Sequence, residues 1–163
     1  MRKADIIDTK IVTAEEIRKR VAQWRITSKT VAFTNGCFDI LHRGHIFSLS
    51  QAAKEADYLI VGLNSDASCK GLKGDSRPVN DQQSRAIVLA ALLMVDAVVI
   101  FDESTPLELI KTIMPDVLVK GGDYTVEQIA GAKEVIANGG KVVINPIVEG
   151  FSTTGLIEKI TKL

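Results

Sequence analysis

Two histidines, His42 and His45, are the only imidazoles in the chain, and they flank Arg43–Gly44 in the segment GCFDILHRGH. Cys37 precedes them in the same segment. Imidazole nitrogens and thiolates bind zinc, whereas an imidazole N–H can also donate a hydrogen bond to a phosphate oxygen. The residue types therefore allow three interpretations: a zinc site, a phosphate site, or exposed histidines that cap the start of a helix.

A zinc site would combine Cys37, His42 and His45 with Cys69 as the fourth ligand. Structural zinc sites usually present paired, closely spaced ligands, and Cys69 stands alone in the sequence. The glycine-rich loops of dinucleotide-binding proteins and P-loop enzymes do not fit, because neither G-x-G-x-x-G nor G-x-x-x-x-G-K-[ST] occurs.

A phosphate site fits the position of the two histidines better. His42 and His45 open a predicted helix that follows a predicted strand, and the free N–H groups and dipole of such a helix start attract anions. Gly44 would let a flat ring or a phosphate approach the backbone closely. The segment therefore favours a phosphate cradle over zinc.

The elements that must position this cradle alternate along the chain. Helical patterns separate short apolar segments, and one helix begins at Thr13 with Glu16 in a capping-box spacing. The apolar segments predict five strands, Thr30–Gly36, Tyr58–Asn64, Ala97–Phe101, Val117–Gly122 and Lys141–Pro146. This alternation predicts an α/β fold with a doubly wound, parallel, five-stranded sheet of the Rossmann type.

Other helix signals mark the remaining connections. Asn80 is a candidate N-cap, Pro106 suits a first turn, and the segment TVEQIAGAKEVIANGG predicts one helix that begins at Thr125. A last helix, STTGLIEKITKL, begins at Ser152. Segment Ser65–Val79 carries glycines, a proline and basic residues, which predicts a long mobile loop.

In such sheets, ligands bind at the carboxyl ends of the strands. Polar and glycine-rich segments follow the first, second and fourth predicted strands at Asn35–His45, Asn64–Asp66 and Gly121–Tyr124. We therefore expect these three segments to meet at one edge of the sheet and to form the site.

Composition limits the classes of partner. The formal net charge is zero, which gives no bulk electrostatic reason to bind nucleic acid or an anionic membrane. The segment MRKADIIDTK lacks the apolar stretch of a signal peptide, and no apolar run approaches the roughly 20 residues of a membrane helix. Two cysteines are too few for a disulfide framework. We therefore expect a cytoplasmic protein that binds neither nucleic acid nor membrane.

The segment NGCFDILHRGH resembles the H-x-G-H signature of the nucleotidyltransferase superfamily. The segments LKGDSRPVNDQQSRA, VDAVVIFDESTPLELI, DVLVKGGDYT and EGFSTTGLIEKI are similar to the adenylyltransferase domain of bacterial ADP-heptose synthases. The resemblance begins near Thr30, so we expect a single domain, 1–163, with a helical extension at 1–29 and a catalytic core at 30–163. Many bacteria fuse this domain to a sugar kinase; the chain has no room for one and resembles the separately encoded form.

The resemblance implies an activity. It is transfer of AMP from ATP to D-glycero-D-manno-heptose 1-phosphate, which gives ADP-heptose and pyrophosphate, with Mg²⁺ held mainly by the ATP phosphates. The attacking sugar phosphate is already an anion, so catalysis needs positioning and charge stabilisation rather than a protein nucleophile. The implied partners are ATP, a sugar 1-phosphate, a second copy of the chain in a homodimer, and a separate sugar kinase acting upstream.

Alternatives come from within and outside the superfamily. A cytidylyltransferase that acts on glycerol 3-phosphate or another small polyol phosphate shares the fold, but such a relative has an Arg-Thr pair before its Glu-Gly. This chain has Ile147–Val148 before Glu149–Gly150, which favours adenine. A catalytically silent nucleotide-binding domain would have no chemical need for both His42 and His45, and a zinc-stabilised interaction module is a further alternative.

The resemblance also assigns roles to residues that match its motifs. No protein-held metal is expected, and Asp123 would contact either ribose or Mg²⁺. Catalytic roles are expected for His42, His45, Lys73 and Arg85. Contacts to the nucleotide are expected from Asn35, Gly36, Cys37, Phe38, His42, Gly44, His45, Asn64, Gly121, Asp123, Ser152, Thr153 and Thr154. Contacts to the sugar phosphate are expected from Asp39, Lys73 and Arg77.

Overall fold

The computed structural model describes residues 5–146, 148 and 150–162. A five-stranded sheet with the order β3-β2-β1-β4-β5 forms its centre, and every pair of neighbouring strands is parallel. The strands are β1 (Val31–Gly36), β2 (Tyr58–Asn64), β3 (Ala97–Phe101), β4 (Val117–Gly121) and β5 (Lys141–Asn145). The predicted α/β fold with a parallel, five-stranded, Rossmann-like sheet is confirmed.

Helices connect the strands and cover both faces of the sheet. They are α1 (Ile6–Thr9), α2 (Ala14–Ile26), α3 (Arg43–Ala53), α4 (Asp66–Lys73), α5 (Gln82–Ala90), α6 (Leu107–Ile113), α7 (Ala132–Ala137) and α8 (Thr153–Thr161). A short 3₁₀ helix, Val126–Gln128, lies before α7. None of the helices within the described residues is long and apolar enough to cross a membrane.

The prediction of a mobile loop at Ser65–Val79 was wrong, because its first half is helix α4. The Ser65 hydroxyl caps this helix by accepting the N–H of Ser68 over 3.2 Å. Ser68 and Cys69 are buried, so tertiary packing stabilises a helix that its glycine would otherwise weaken. Gly74, with φ at 94°, ends the helix in a conformation that suits glycine.

Two other helix boundaries differ from the sequence-based expectation. Asp81 rather than Asn80 caps α5, since its carboxylate accepts the N–H groups of Gln83 and Ser84. The single helix expected from Thr125 is divided into the 3₁₀ turn and α7. Gly131, with φ at 85°, lies at the break, where a Cβ atom would come within 2.7 Å of Ile110.

Buried apolar side chains fill the space on both faces of the sheet. One cluster includes Phe33 and Ile110, and the other includes Leu49 and Leu89. Each cluster excludes water from one face, which is what allows the strands to be continuously apolar. The sheet therefore offers a rigid edge from which the polar loops extend.

The N-terminal extension, described from residue 5 onward, packs against the domain itself. Ile17 and Val21 of α2 are buried in the core, and the ring of Trp24 stacks on that of Tyr58 at 4.1 Å between centroids. The Lys10 ammonium donates to the Val95 carbonyl over 2.7 Å. This part of the chain thus contributes to the core of the same unit.

Candidate functional site

The loop that leaves β1 turns sharply before the histidines. Phe38 and Ile40 have φ values of 45° and 46°, a left-handed conformation that is unusual for residues with side chains. Such conformations persist where surrounding contacts enforce them, and they are common at functional sites. The Phe38 ring lies edge-on to the His45 ring, at 5.6 Å between centroids, and packs against the core cluster beneath.

Asp39 is the buried anchor of this loop. Its carboxylate accepts the Arg77 Nε–H over 2.7 Å, the Val79 N–H over 2.8 Å and the Asn80 N–H over 3.0 Å. Burial opposes its ionisation, but these donors prevail and hold the pKa of Asp39 below its ordinary value. Both carboxylate oxygens are thus engaged within the protein, and the expected contact between Asp39 and the sugar phosphate stays a prediction. Arg77 lines the cavity described below, but its Nε–H is used by Asp39.

His42 and His45 are held in one tautomeric form by the backbone. The Gly44 N–H donates to His42 Nδ1 over 3.1 Å, and the His42 N–H donates to His45 Nδ1 over 3.4 Å. The two rings stack with 3.9 Å between centroids. Because both Nδ1 atoms accept hydrogen bonds, the proton of each neutral ring lies on Nε2, which becomes a donor.

The surroundings keep both rings neutral. Burial lowers the pKa of His42. Burial and, to a smaller extent, the neighbouring His42 lower the pKa of His45 to about 4. The imidazoles therefore offer neutral N–H donors near pH 7, and a pair of stacked cations is avoided.

Gly44 is required by the position of the His42 ring. A Cβ atom there would lie 3.0 Å from His42 Nδ1 and 3.2 Å from the Phe151 Cβ atom. These distances are shorter than ordinary carbon contacts. A small cavity of about 170 Å³ lies beside Gly44 and is bordered by Ser48 and Phe151. The absence of a side chain at this position thus keeps space open beside His42.

The larger space above the histidines, here called the histidine cavity, has a volume of about 410 Å³. It brings together much of the predicted set at the carboxyl edge of the sheet. The predicted residues that line it are Asn35, Gly36, Cys37, Phe38, Asp39, His42, His45, Lys73, Arg77, Gly121, Ser152, Thr153 and Thr154. Imidazoles, amines, hydroxyls and a helix start that face one space suit a polyphosphate.

Helix α8 brings its N-terminus to this cavity. The Ser152 hydroxyl accepts the Gly155 N–H over 3.0 Å, which is ordinary N-capping. The Thr153 hydroxyl donates to the Asp39 carbonyl over 3.1 Å and ties the helix to the histidine loop. Thr154 also lines the cavity. Two of the three predicted hydroxyls therefore have structural partners in addition to their place at the cavity.

Arg85 has a different position from the one expected for a catalytic residue. Its side chain is 1% exposed and lines neither the histidine cavity nor the side cavity described next. The guanidinium donates to the carbonyls of Cys37 and Asn64 over 2.6 and 2.9 Å, and to the Asp66 carboxylate over 2.7 Å. It therefore joins the ends of β1 and β2 rather than contacting a phosphate. This position does not support the expected catalytic role of Arg85, which stays a prediction, and indicates a structural role.

A second space, here called the side cavity, adjoins the histidine cavity and has a volume of about 350 Å³. Asn64, which the sequence analysis assigned to the nucleotide, lines this cavity. Asp123 is exposed and lines neither cavity, so its expected contact with ribose or Mg²⁺ has no support in its position. The side cavity is lined by Asn35, Gly36, Cys37, Asn64, Leu72, Lys73, Ser104, Thr105, Pro106, Lys120, Tyr124, Gln128, Ile129 and Ala130.

Lys120 was missed by the sequence-based assignment. Its ammonium donates to Asn35 Oδ1 over 3.1 Å and lies 5.7 Å from the centre of the Tyr124 ring. Lys120 lines both cavities. Its signal in the sequence is a lysine in the apolar strand segment VLVKGG, directly before the glycines at the strand end. A charged residue at such a position is costly to bury and points to a ligand.

The zinc hypothesis finds no support among the residues that the structure describes. They contain no cluster of three or more histidines, cysteines or acidic residues arranged to hold a metal ion. Burial, together with the neighbouring Cys37, raises the pKa of the Cys69 thiol to about 12. Cys69 is therefore a buried, neutral thiol.

The chain matches a family model and proteins of known name. A model of the family described as cytidylyltransferase-like matches residues 33–159. A relative named bifunctional protein HldE, from Koribacter versatilis, is 58% identical over 154 residues, which is 94% of this chain and 32% of that protein. The protein of the same name from Rhodospirillum rubrum is 55% identical over 94% of this chain and 31% of its own length. The chain thus spans about a third of the length of these curated relatives.

Solved structures show the same fold. A lipopolysaccharide core biosynthesis protein from Thermoplasma volcanium superposes with a TM-score of 0.59 and 28% identity, over 74% of this chain and 97% of that one. Pantothenate synthetase from Thermus thermophilus superposes with a TM-score of 0.63 over 94% of this chain and 70% of that one. At 17% identity, the second match supports the fold alone.

Proposed function

Because the chain belongs to the cytidylyltransferase-like family, we propose that it transfers AMP from ATP to D-glycero-D-manno-heptose 1-phosphate, forming ADP-heptose and pyrophosphate. The observation that carries this proposal is the backbone-fixed pair His42 and His45, whose Nε2–H donors serve a cavity shared with the start of α8. The identity to HldE proteins and to a lipopolysaccharide core biosynthesis protein supports the same activity.

The reaction needs no nucleophile from the protein. A phosphate oxygen of the sugar 1-phosphate attacks the α-phosphorus of ATP, and the bond from that phosphorus to the pyrophosphate oxygen breaks in line. Negative charge develops on the α-phosphate oxygens and on the departing pyrophosphate. In this proposal, neutral Nε2–H donors on His42 and His45 and the ammonium of Lys73 stabilise that charge, since all three residues line the histidine cavity.

Mg²⁺ enters this proposal as an ion bound to ATP. Among the described residues that line the histidine cavity, Asp39 is the one carboxylate, and its oxygens accept three N–H groups. The protein therefore offers no carboxylate cage, whereas Mg²⁺ commonly binds through the phosphates of its nucleotide. When bound, the ion would neutralise phosphate charge, and the residues of the chain would position the nucleotide around it.

The partners of the reaction follow from its chemistry. The sugar 1-phosphate must be supplied by an earlier phosphorylation step, and in this proposal a sugar kinase acts upstream. We infer a cytoplasmic location, where ATP is available, and a homodimer. Light scattering on the purified chain tests the homodimer, which a monomeric mass at micromolar concentration would overturn.

One assay tests the proposed function. The protein is mixed with Mg²⁺, each nucleoside triphosphate in turn, and a panel of sugar and polyol phosphates, and pyrophosphate release is followed. Release with ATP and the heptose 1-phosphate is expected. Release with CTP and glycerol 3-phosphate alone would replace this proposal with the cytidylyltransferase alternative. Ile147 and Glu149, which belong to the segment that favours adenine, lie outside the described residues.

A further inference from the structure

The histidine cavity and the side cavity meet at a pair of lysines, Lys73 and Lys120. We propose that the side cavity is the acceptor subsite and that Lys120 holds the phosphate of the sugar 1-phosphate at the junction of the two cavities. This inference rests on the proposed function and adds to it a residue and a place for the second substrate.

The junction is the place where the two substrates must touch. It is formed by residues that line both cavities, namely Asn35, Gly36, Cys37, Lys73, Lys120 and Tyr124. Asn35 lies near the end of β1 and Lys120 near the end of β4, and these strands are neighbours in the sheet. An acceptor phosphate bound here would face the α-phosphate of a nucleotide in the histidine cavity.

Among the described residues, no carboxylate pairs with the two lysines at the junction. Lys120 is half-buried, and the hydrogen bond found for its ammonium goes to the neutral Asn35 amide oxygen. Burial, aided by the nearby charge of Lys73, lowers the pKa of Lys120. A phosphate would supply the missing anion and accept the ammonium donors that Asn35 leaves free.

The wall of the side cavity suits a sugar. Its polar groups beyond the junction are neutral amides and hydroxyls, from Asn64, Ser104, Thr105 and Gln128. These groups can both donate to and accept from sugar hydroxyls. Apolar atoms of Pro106 and Ile129 lie among them and can pack against the C–H groups of a ring. No carboxylate lines this cavity, so its described wall does not repel a phosphorylated substrate.

The groups that line the two cavities indicate which substrate each cavity binds. The histidine cavity has two imidazole donors and the start of α8, which suit several phosphates in a row. The side cavity has neither, and its one strong positive feature lies at the shared junction. The triphosphate therefore takes the histidine cavity, and the sugar takes the side cavity with its phosphate directed at Lys120.

Substitution of Lys120 tests the assignment. Lys120→Met keeps the length and the apolar stem but removes the charge, and Lys120→Arg restores a cation of different shape. We expect the KM for heptose 1-phosphate to rise at least about tenfold in Lys120→Met, because one charged hydrogen bond is lost. The rise in KM should be smaller in Lys120→Arg. The Kd for ATP, measured by titration calorimetry, should change by less than about twofold, because the residue would contact the other substrate.

Lys141→Met is the matched control. Lys141 lies on β5, outside both cavities, and its ammonium bonds the Glu55 carboxylate. The kinetic constants of the Lys141→Met variant should equal those of the unaltered protein. Binding of heptose 1-phosphate is also measured calorimetrically with a non-hydrolysable ATP analogue present, so that the readout does not depend on turnover.

The outcomes separate the two proposals. An unchanged KM and an unchanged Kd for heptose 1-phosphate in Lys120→Met would overturn the acceptor subsite. A fall in ATP affinity as large as the fall in sugar affinity would also overturn it and place Lys120 at the triphosphate. If the unaltered protein neither binds heptose 1-phosphate nor releases pyrophosphate with it, the proposed function fails instead. Thermal unfolding of each variant shows whether it is folded.

Discussion

His42 and His45 stack with their ring centroids 3.9 Å apart, and each accepts a backbone N–H at Nδ1. The same contacts that cap the start of α3 therefore direct both Nε2–H groups away from the backbone. Local structure and the proposed chemistry use opposite nitrogens of the same rings. This separation makes it feasible to test one role without removing the other.

The first prediction compares glutamine and asparagine at position 42. The amide nitrogen of Gln can occupy the place of Nε2, whereas the amide oxygen of Asn can occupy the place of Nδ1 and keep the cap. We expect His42→Asn to lose about 10²-fold or more in kcat and to keep its stability, because a charge-stabilising donor is lost. His42→Gln should retain more activity and unfold more easily. Pyrophosphate release and urea denaturation measure the two effects, and equal activities in both variants would refute the Nε2 role.

The second prediction concerns stability as a function of pH. His45 has a pKa of about 4 in the folded chain and about 6.5 when unfolded, so the unfolded chain binds more protons in between. Its contribution to the free energy of unfolding is fully present above about pH 6.5 and is lost as the pH falls toward 4. Urea denaturation at several pH values should show this decline, and His45→Gln should reduce it, while His42, whose pKa is also lowered by burial, accounts for part of the remaining slope. Asp39, whose pKa is also lowered, acts at lower pH, so it leaves this window largely unaffected.

The third prediction concerns the buried ion pair of Asp39 with Arg77, in which the Asp39 side chain is 0% exposed. Asp39→Asn puts an amide N–H₂ where three N–H donors converge and leaves Arg77 without its anion. We expect a loss of about 3 kcal/mol in the free energy of unfolding, as for other broken buried pairs. Glu108→Gln, which breaks the exposed pair with Lys111, should cost less than about 0.5 kcal/mol. Similar losses in both variants would contradict the anchoring role of Asp39.

The fourth prediction compares two glycines. Gly44→Ala would place a methyl group 3.0 Å from the His42 ring, so the ring must shift. We expect kcat/KM for ATP to fall at least about tenfold, since small displacements of catalytic groups have effects of this size. Gly71→Ala is the control, because its Cβ would meet no atom within 4 Å and it lies inside α4. That variant should keep its activity and gain up to about 1 kcal/mol of stability.

The sequence predicted the strands well because each one is a continuous apolar run bounded by turn residues. It also placed the histidines and the hydroxyls of α8 at one edge, since each of these segments follows the carboxyl end of a parallel strand. Arg85 illustrates the limit of such reasoning. Its partners, the carbonyls of Cys37 and Asn64, lie on two other elements, so only the folded chain shows that the guanidinium is already used.

The remaining differences have similar causes. Helix α4 was missed because its stability comes from buried Ser68 and Cys69 rather than from local propensity. Asp39 has the chemistry of a substrate ligand, but loop 77–80 folds back onto it and takes its oxygens. In the sequence, Lys120 is a single lysine directly before Gly121 and Gly122, and nothing there shows which groups surround it. Its importance appears only when two cavities are found to share it.

The order of the strands has a consequence for how the molecule loses its structure. The chain segment that carries both histidines leaves β1, which is the middle strand of the sheet and is bonded on both sides by β2 and β4. Edge strands can separate at low free-energy cost, whereas a central strand opens only when the whole domain opens. Amide protons of β1 should therefore be among the slowest to exchange with deuterium. Warming should loosen the more exposed edge strand β5 before β1, whereas β3 is buried and is also bonded to the Lys10–Val12 segment.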